Sequence, residues 1–153
     1  MNHKRYPWRT LPGLLLLTIP LFALAQTEPI GYVKTVTGEA WVTSAGQRVR
    51  AQPGTAVLLG SRLQTGAAAS MGMTFKDNTV MSFGPDTELT VDEYLYAPAQ
   101  DQLKLGTRLI RGSLNYISGV IAKLKPEAVT VKTPVGIIGV RGTQFVAKVE
   151  DVK

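Results

Sequence analysis

The sequence predicts an all-β single domain of short strands, as a roll, a sandwich or a double-stranded β-helix, with at most one short helix near residues 119–125. Three observations predict it. Apolar and polar residues alternate with a period of two, turn residues interrupt that alternation about every 8 to 12 residues, and long helices are hard to fit between the turns. At 153 residues, 44% apolar and 18% charged, the chain has material for one core and one domain.

Residues 1–25 stand apart from that pattern. A basic start (Lys4, Arg5, Arg9), an apolar run over 11–24 and small residues at Ala23 and Ala25 follow the order of a secretory signal peptide, with cleavage after Ala25. The apolar run contains Pro12 and Pro20 and falls short of the about 20 residues that a spanning helix needs. Ala-Gln rather than Cys follows it, which speaks against a lipid anchor. The mature chain is therefore expected in the periplasm or secreted, meeting the membrane only during export. Residues 26–32 form a short lead-in.

The strands follow in order. Residues 30–36 and 40–43 read as two strands around Gly38, with turns at Ser44-Ala45-Gly46-Gln47 and Gln52-Pro53-Gly54. Leu63 and Thr65 lie on a short strand between Gly60 and Gly66. Met71, Met73 and Phe75 alternate with Gly72 and Thr74, and Lys76-Asp77-Asn78-Thr79 is a hairpin loop, since Asp and Asn tolerate left-handed backbone. A strand over 79–83, the loop Gly84-Pro85-Asp86-Thr87 and a strand with Leu89 and Val91 facing in come next. Residues 94–102, with Pro98, read as a longer loop, and strand character resumes over 103–118 with the series Leu114, Tyr116, Ser118. Val120, Ile121 and Leu124 fit one helical turn ended by Pro126. Two strands over 129–133 and 145–149 close the chain. The crossing between them holds Pro134, Gly136, Gly139 and Gly142, a spacing expected of a backbone that bends while buried.

Inventory excludes several chemistries. Cys is absent and His3 is the only His, so a mature domain has no Cys nucleophile, no disulfide framework and no His base or metal ligand. No cofactor and no metal site is expected. Net charge is +6, but three of the 17 basic residues lie in the first ten, and 14 against 11 remain beyond residue 25. No Lys/Arg run interleaved with aromatics is left, so nucleic acid is not an expected partner. Gly136-x-x-Gly139-x-x-Gly142 lacks the spacing and the Gly-Lys-Ser/Thr ending of a phosphate loop.

The residues from 131 to 145 carry a resemblance. Val131, Thr133 and Pro134, then Gly139-Val140-Arg141-Gly142-Thr143 and Phe145, resemble the signature of the FecR domain family; GSRLQTG (60–66), FKDNTVMSFGPDTEL (75–89) and LIRGSLNYIS (109–118) are similar to its earlier segments. The resemblance spans about residues 33–149, leaving 150–153 as a tail. It implies a domain of the cell envelope. The best-known members regulate a sigma factor through a cytoplasmic segment, and with only a signal peptide ahead of the domain that activity is not carried over. Members also continue past the Phe with a further hairpin, so this chain is expected either to be a truncated member or to leave a strand edge open to a partner or a second copy.

The polar residues each have two readings. Arg141, between two glycines of the signature, is expected to brace the crossing by donating to unpaired carbonyls, with carboxylate or sugar binding as the alternative. Thr143 reads as a turn hydroxyl. Trp41 alternates out of phase with Ala40 and Val42, which points it outward, and with Tyr94, Tyr96 and Tyr116 it is a candidate platform for sugar or peptide. Asp77, Asp86, Glu88, Asp92 and Glu93 read as turn residues or solvated strand faces. A Ser-Lys hydrolase built on Ser113 or Ser118 has no motif behind it. The expectation is a non-catalytic binding or sensing module for an envelope protein or glycan. The alternative is an envelope hydrolase acting on peptidoglycan or polysaccharide through surface carboxylates, which requires Asp86, Glu88 or Asp92 to converge in a cleft.

Overall fold

A computed structural model describes residues 27–150; the expected signal peptide lies outside them. The described chain runs β1 (Gly31–Thr37), β2 (Ala40–Ser44), β3 (Gln47–Arg50), β4 (Ala56–Val57), β5 (Arg62–Thr65), β6 (Ser70–Phe75), β7 (Val80–Phe83), β8 (Glu88–Ala97) and β9 (Gln102–Ile117). It continues through α1 (Val120–Leu124), β10 (Val129–Thr133), β11 (Gly136–Gly139) and β12 (Gln144–Val149). The architecture is all-β with one short helix, as the sequence predicts.

The strands form a curled sheet whose two halves share β9. One half has the order β3-β2-β5-β8-β9-β10-β11, and the other β4-β1-β6-β7-β9-β12. Pairing is antiparallel except between β10 and β9, which run parallel with Val129 opposite Leu105 and Lys132 opposite Arg108. The first part of β9 lies between β8 and β10, and the last part between β7 and β12. Gly112 sits where β9 passes from one half to the other. Its φ of 85° is left-handed, and a Cβ there would run into Thr87, whose Oγ1 accepts from Ser113 N at 2.9 Å. Side chains from both halves meet in one core: Val42, Leu63, Leu89, Leu105 and Val131 from the first, Val33, Met73, Phe75, Met81 and Leu114 from the second.

Two expectations are corrected. The loop over 94–102 is mostly strand: a bulge at Asp92 shifts the phase of β8, after which Tyr94 and Tyr96 take the inward side, and the chain reverses through a single 3₁₀ turn, Pro98–Gln100, closed by Asp101 with φ of 53°. With β8 at 10 residues and β9 at 16, two strands are far from short. Asp77 occupies the β6–β7 turn as expected, and it is wholly buried there.

Asp77 is buried because three elements converge on it. Its Oδ1 accepts from Thr79 N (3.2 Å) and Tyr94 Oη (3.4 Å), and its Oδ2 from Thr79 Oγ1 (2.8 Å) and Ile121 N (3.2 Å). Its main chain takes part as well: Asp77 N donates to Tyr94 Oη at 3.0 Å, and Val120 N donates to Asp77 O at 2.7 Å. Gly119 presses against Asp77 and Thr79 so closely that a Cβ there would collide with their backbone. The carboxylate thus satisfies donors at the start of α1 and ties that helix to β8 and to the β6–β7 hairpin.

Asp77→Ala leaves several buried donors unsatisfied, and the expected loss is about 3 kcal/mol of unfolding free energy in urea titration, with Asp77→Asn intermediate. A second prediction concerns alkaline pH. Burial raises the ionisation of Tyr94 far above the usual tyrosine range, and the neighbouring Asp77 charge adds to it. The folded state then holds the phenolic proton more tightly than the unfolded state, so the stability is intact below the unfolded tyrosine pKa of about 10 and declines as pH rises beyond it. The urea midpoint should fall above that pH, and less steeply in Tyr94→Phe. Tyr116, raised by burial in the same direction, retains the rest of the slope.

Candidate functional site

The signature residues of 131–145 build one end of the molecule. Val129 and Val131 face the core from β10, while Thr130 and Lys132 alternate away from it. Thr133 Oγ1 donates to Gly136 O at 3.0 Å and closes the tight turn at Pro134 and Val135. The chain then folds back as β11, with Thr133 opposite Gly136 and Thr130 opposite Gly139. Val140 turns into the core, and its N donates to Val129 O at 3.4 Å. After Arg141, Gly142 and Thr143 the chain enters β12, which lies antiparallel to β9 with Phe145 opposite Tyr116 and Ala147 opposite Leu114. Phe145 is half-buried and stacked on Tyr116, ring centroids 4.9 Å apart and planes 21° apart.

The crossing differs from the buried bend that the glycines predict. It contains a strand, β11, and residues 141–144 are exposed. A Cβ at Gly136, Gly139 or Gly142 would meet open space, and of the three only Gly142 has positive φ, at 141°. Nor does Arg141 brace it: the side chain is exposed and has no hydrogen bond to any described residue. Ser118 holds the crossing instead, with its Oγ donating to Gly142 O at 2.6 Å and its N donating to Thr143 O at 2.8 Å. The sequence did carry a signal for this, a polar residue at the inward end of the Leu114, Tyr116, Ser118 series.

This end of the curled sheet is open. Among the described residues, β11 pairs only with β10 and β12 only with β9, which leaves one edge of each without a strand partner there. Between them lies a groove of about 560 Å³ lined by Val135, Ile137, Arg141, Phe145, Val146 and Lys148 among others. Three apolar side chains there are strongly exposed: Val135 at 88%, Ile137 at 68% and Val146 at 71%. Lys148 reaches Glu150 at 2.8 Å, an exposed pair that raises the lysine pKa and lowers that of the glutamate.

A model described as FecR protein matches residues 61–153. The chain belongs to the FecR family. No curated protein and no solved structure matches it. The matched span begins just before β5 and takes in the whole open end. The FecR match leaves β1–β4 outside it, yet β1 pairs with β6 and β2 with β5, so these strands belong to the same folded sheet. No helix among the described residues is long and apolar enough to cross a membrane.

The other candidate residues of this FecR chain are dispersed. Trp41 is half-buried on the outer face of β2, with the Arg48 guanidinium 4.4 Å above its ring, rather than open to solvent. Tyr94 stacks on Phe75 at 5.3 Å, Tyr116 is buried beneath Phe145, and Tyr96 packs against the core, so the four aromatics form no common platform. Glu88 pairs with Arg62 (3.4 Å) and Arg111 (3.6 Å), Asp92 with Arg108 (2.9 Å), and Glu93 with Lys104 (2.9 Å), all on the outer face of the sheet. Asp86 occupies an exposed turn with φ of 49°. These carboxylates neighbour basic side chains or solvent rather than one another.

If Ser118 and not Arg141 holds the crossing, Arg141→Ala changes the unfolding free energy by less than about 0.5 kcal/mol, whereas Ser118→Ala lowers it by about 1 kcal/mol. Urea denaturation of the two variants side by side measures the difference.

Proposed function

We propose that this FecR-family chain is a binding or sensing module of the cell envelope that works without catalysis, by accepting an extended segment of a partner protein along the open end between β11 and β12. The observation that carries the reading is the pair of unpaired strand edges facing one groove, with Val135, Ile137 and Val146 exposed beside them. A strand added to a free edge gains main-chain hydrogen bonds, while alternate side chains enter pockets that set specificity. Along the six residues of β12, about six such bonds are on offer, since residues of an antiparallel edge present both N–H and C=O at every second position.

Leaving the edge bare carries a cost of its own, because an exposed apolar edge invites unspecific pairing. A second copy of the chain is therefore the competing occupant. The absence of catalysis is part of the proposal, supported by surface carboxylates that are engaged with arginine and lysine rather than gathered in a cleft.

The test is capture from envelope fractions by the full chain and by Ile137→Lys/Val146→Lys, which places charge in the groove at two exposed positions. The unsubstituted chain should retain a defined envelope protein, and the double variant should lose about tenfold or more of its affinity at unchanged urea midpoint. Equal capture by both would sink the reading, as would sedimentation showing a dimer that the double variant dissolves. Release of soluble sugar from peptidoglycan that Glu88→Gln or Asp92→Asn abolishes would instead favour the hydrolase.

A further inference from the structure

The outer face of the half-sheet β3-β2-β5-β8-β9-β10 carries a second feature, which meets the open end at Lys132, opposite Ile137 of β11. Strand register sets Arg48 opposite Thr43, Thr43 opposite Arg62, Arg62 opposite Thr90, Thr90 opposite Arg108 and Arg108 opposite Lys132. These residues share the solvent side, because their neighbours along each strand, Val42, Leu63, Leu89, Leu109 and Val131, fill the core. Adjacent strands lie about 4.8 Å apart, so Arg48, Arg62 and Arg108 recur at intervals of about 10 Å and the row to Lys132 extends about 24 Å. A second row beside it runs Arg50, Trp41, Gln64, Glu88, Arg111.

Charge is concentrated on this face. It holds seven basic residues (Arg48, Arg50, Arg62, Lys104, Arg108, Arg111, Lys132) against three acidic ones (Glu88, Asp92, Glu93), a balance of +4. The remaining described residues carry six basic and seven acidic, a balance of −1. Among the described residues, the whole excess of positive charge is therefore on one side. The ion pairs across it leave much of it uncommitted: Glu88 is shared by two arginines, and every basic partner has a solvent-exposed side chain. Such pairs are weak and yield readily to a competing anion. Trp41 lies beneath Arg48 and holds its guanidinium above the sheet. At the other end of the row, Arg108 and Lys132 border a depression of about 490 Å³.

We propose that this face binds a linear acidic polysaccharide laid across the strands, its carboxylates meeting the row Arg48, Arg62, Arg108, Lys132. A polymer with acidic groups at regular intervals matches a basic row of regular spacing, and the Arg fork matches a carboxylate in two-point geometry. Two other polyanions fit less well. A bilayer surface calls for apolar side chains to insert beside the charges, and here Val49, Leu95 and Ile137 lie only at the rim. A single-stranded nucleic acid calls for open aromatic faces to stack bases, and Arg48 covers Trp41.

The experiment measures binding of the full chain to polygalacturonate at low and physiological salt. Neutral dextran, phosphatidylglycerol vesicles and a single-stranded oligonucleotide are run alongside. The expected result is binding that weakens with salt and falls about tenfold or more in Arg48→Gln/Arg50→Gln/Lys132→Gln. Lys34→Gln/Lys76→Gln/Lys123→Gln removes equal charge from other surfaces and should stay within about twofold of the unsubstituted chain. Arg48→Lys/Arg50→Lys preserves the charge but removes the fork, and its affinity should fall between those of the unsubstituted chain and the triple Gln variant. Absence of binding at low salt overturns the proposal, as does an equal loss in the two triple variants. Preference for vesicles or oligonucleotide over polygalacturonate overturns it in favour of that partner.

Discussion

The carboxylate of Asp77 is the joint on which the arrangement of this protein depends. A buried anion is stable only where donors surround it, and here the donors come from the β6–β7 turn, the far part of β8 and the first turn of α1. Of those elements, the helix is weakly held on its own. The helix has five residues and no side-chain cap, too short to persist by its own hydrogen bonds. Docked on Asp77, it fixes where the chain leaves β9 and how it returns as β10. Parallel pairing of β10 with β9, which needs a crossover rather than a hairpin, is thus set by a residue fifty positions upstream.

From that joint the open end follows. With β10 placed against the first part of β9 and β12 against the last part, the chain between them has to bridge the two halves of the sheet, and Ser118 pins the bridge by its hydroxyl and its amide. The outer edges of β11 and β12 are what remains. The groove therefore results from the same topology that closes the core, and needs no special loop to form it.

Most of the fold was legible because burial writes itself into alternation. Leu63, Met73, Leu89 and Leu114 all stand where their period places them, and the turns at Gly46 and Asn78 adopt the positive φ that their residues favour. Alternation fails where one face is not buried: three of the four residues of β11 are exposed, so Gly-Ile-Ile-Gly resembles a linker more than a strand. Pro98 misled in the opposite direction, marking a turn of three residues within what looked like a loop of nine. Thr79 apart, the partners of Asp77 lie 17 to 44 residues away and that of the crossing 24, and no local pattern reports such distances. The same holds for the basic face. Arg48, Arg62, Arg108 and Lys132 are unremarkable in sequence, and only strand register draws them into a row.

The position of β9 also fixes an order in time. Before residues 102–117 are available, strands β1–β8 can form only two separate ladders, β3-β2-β5-β8 and β4-β1-β6-β7, because no pairing in the native sheet joins one to the other. Without β9, each ladder of the native pairing has a bare inner edge, β8 in one and β7 in the other. β9 joins the two, by pairing with β8 along its first part and β7 along its last. Closure of the core, which draws side chains from both halves, waits on the strand that comes ninth.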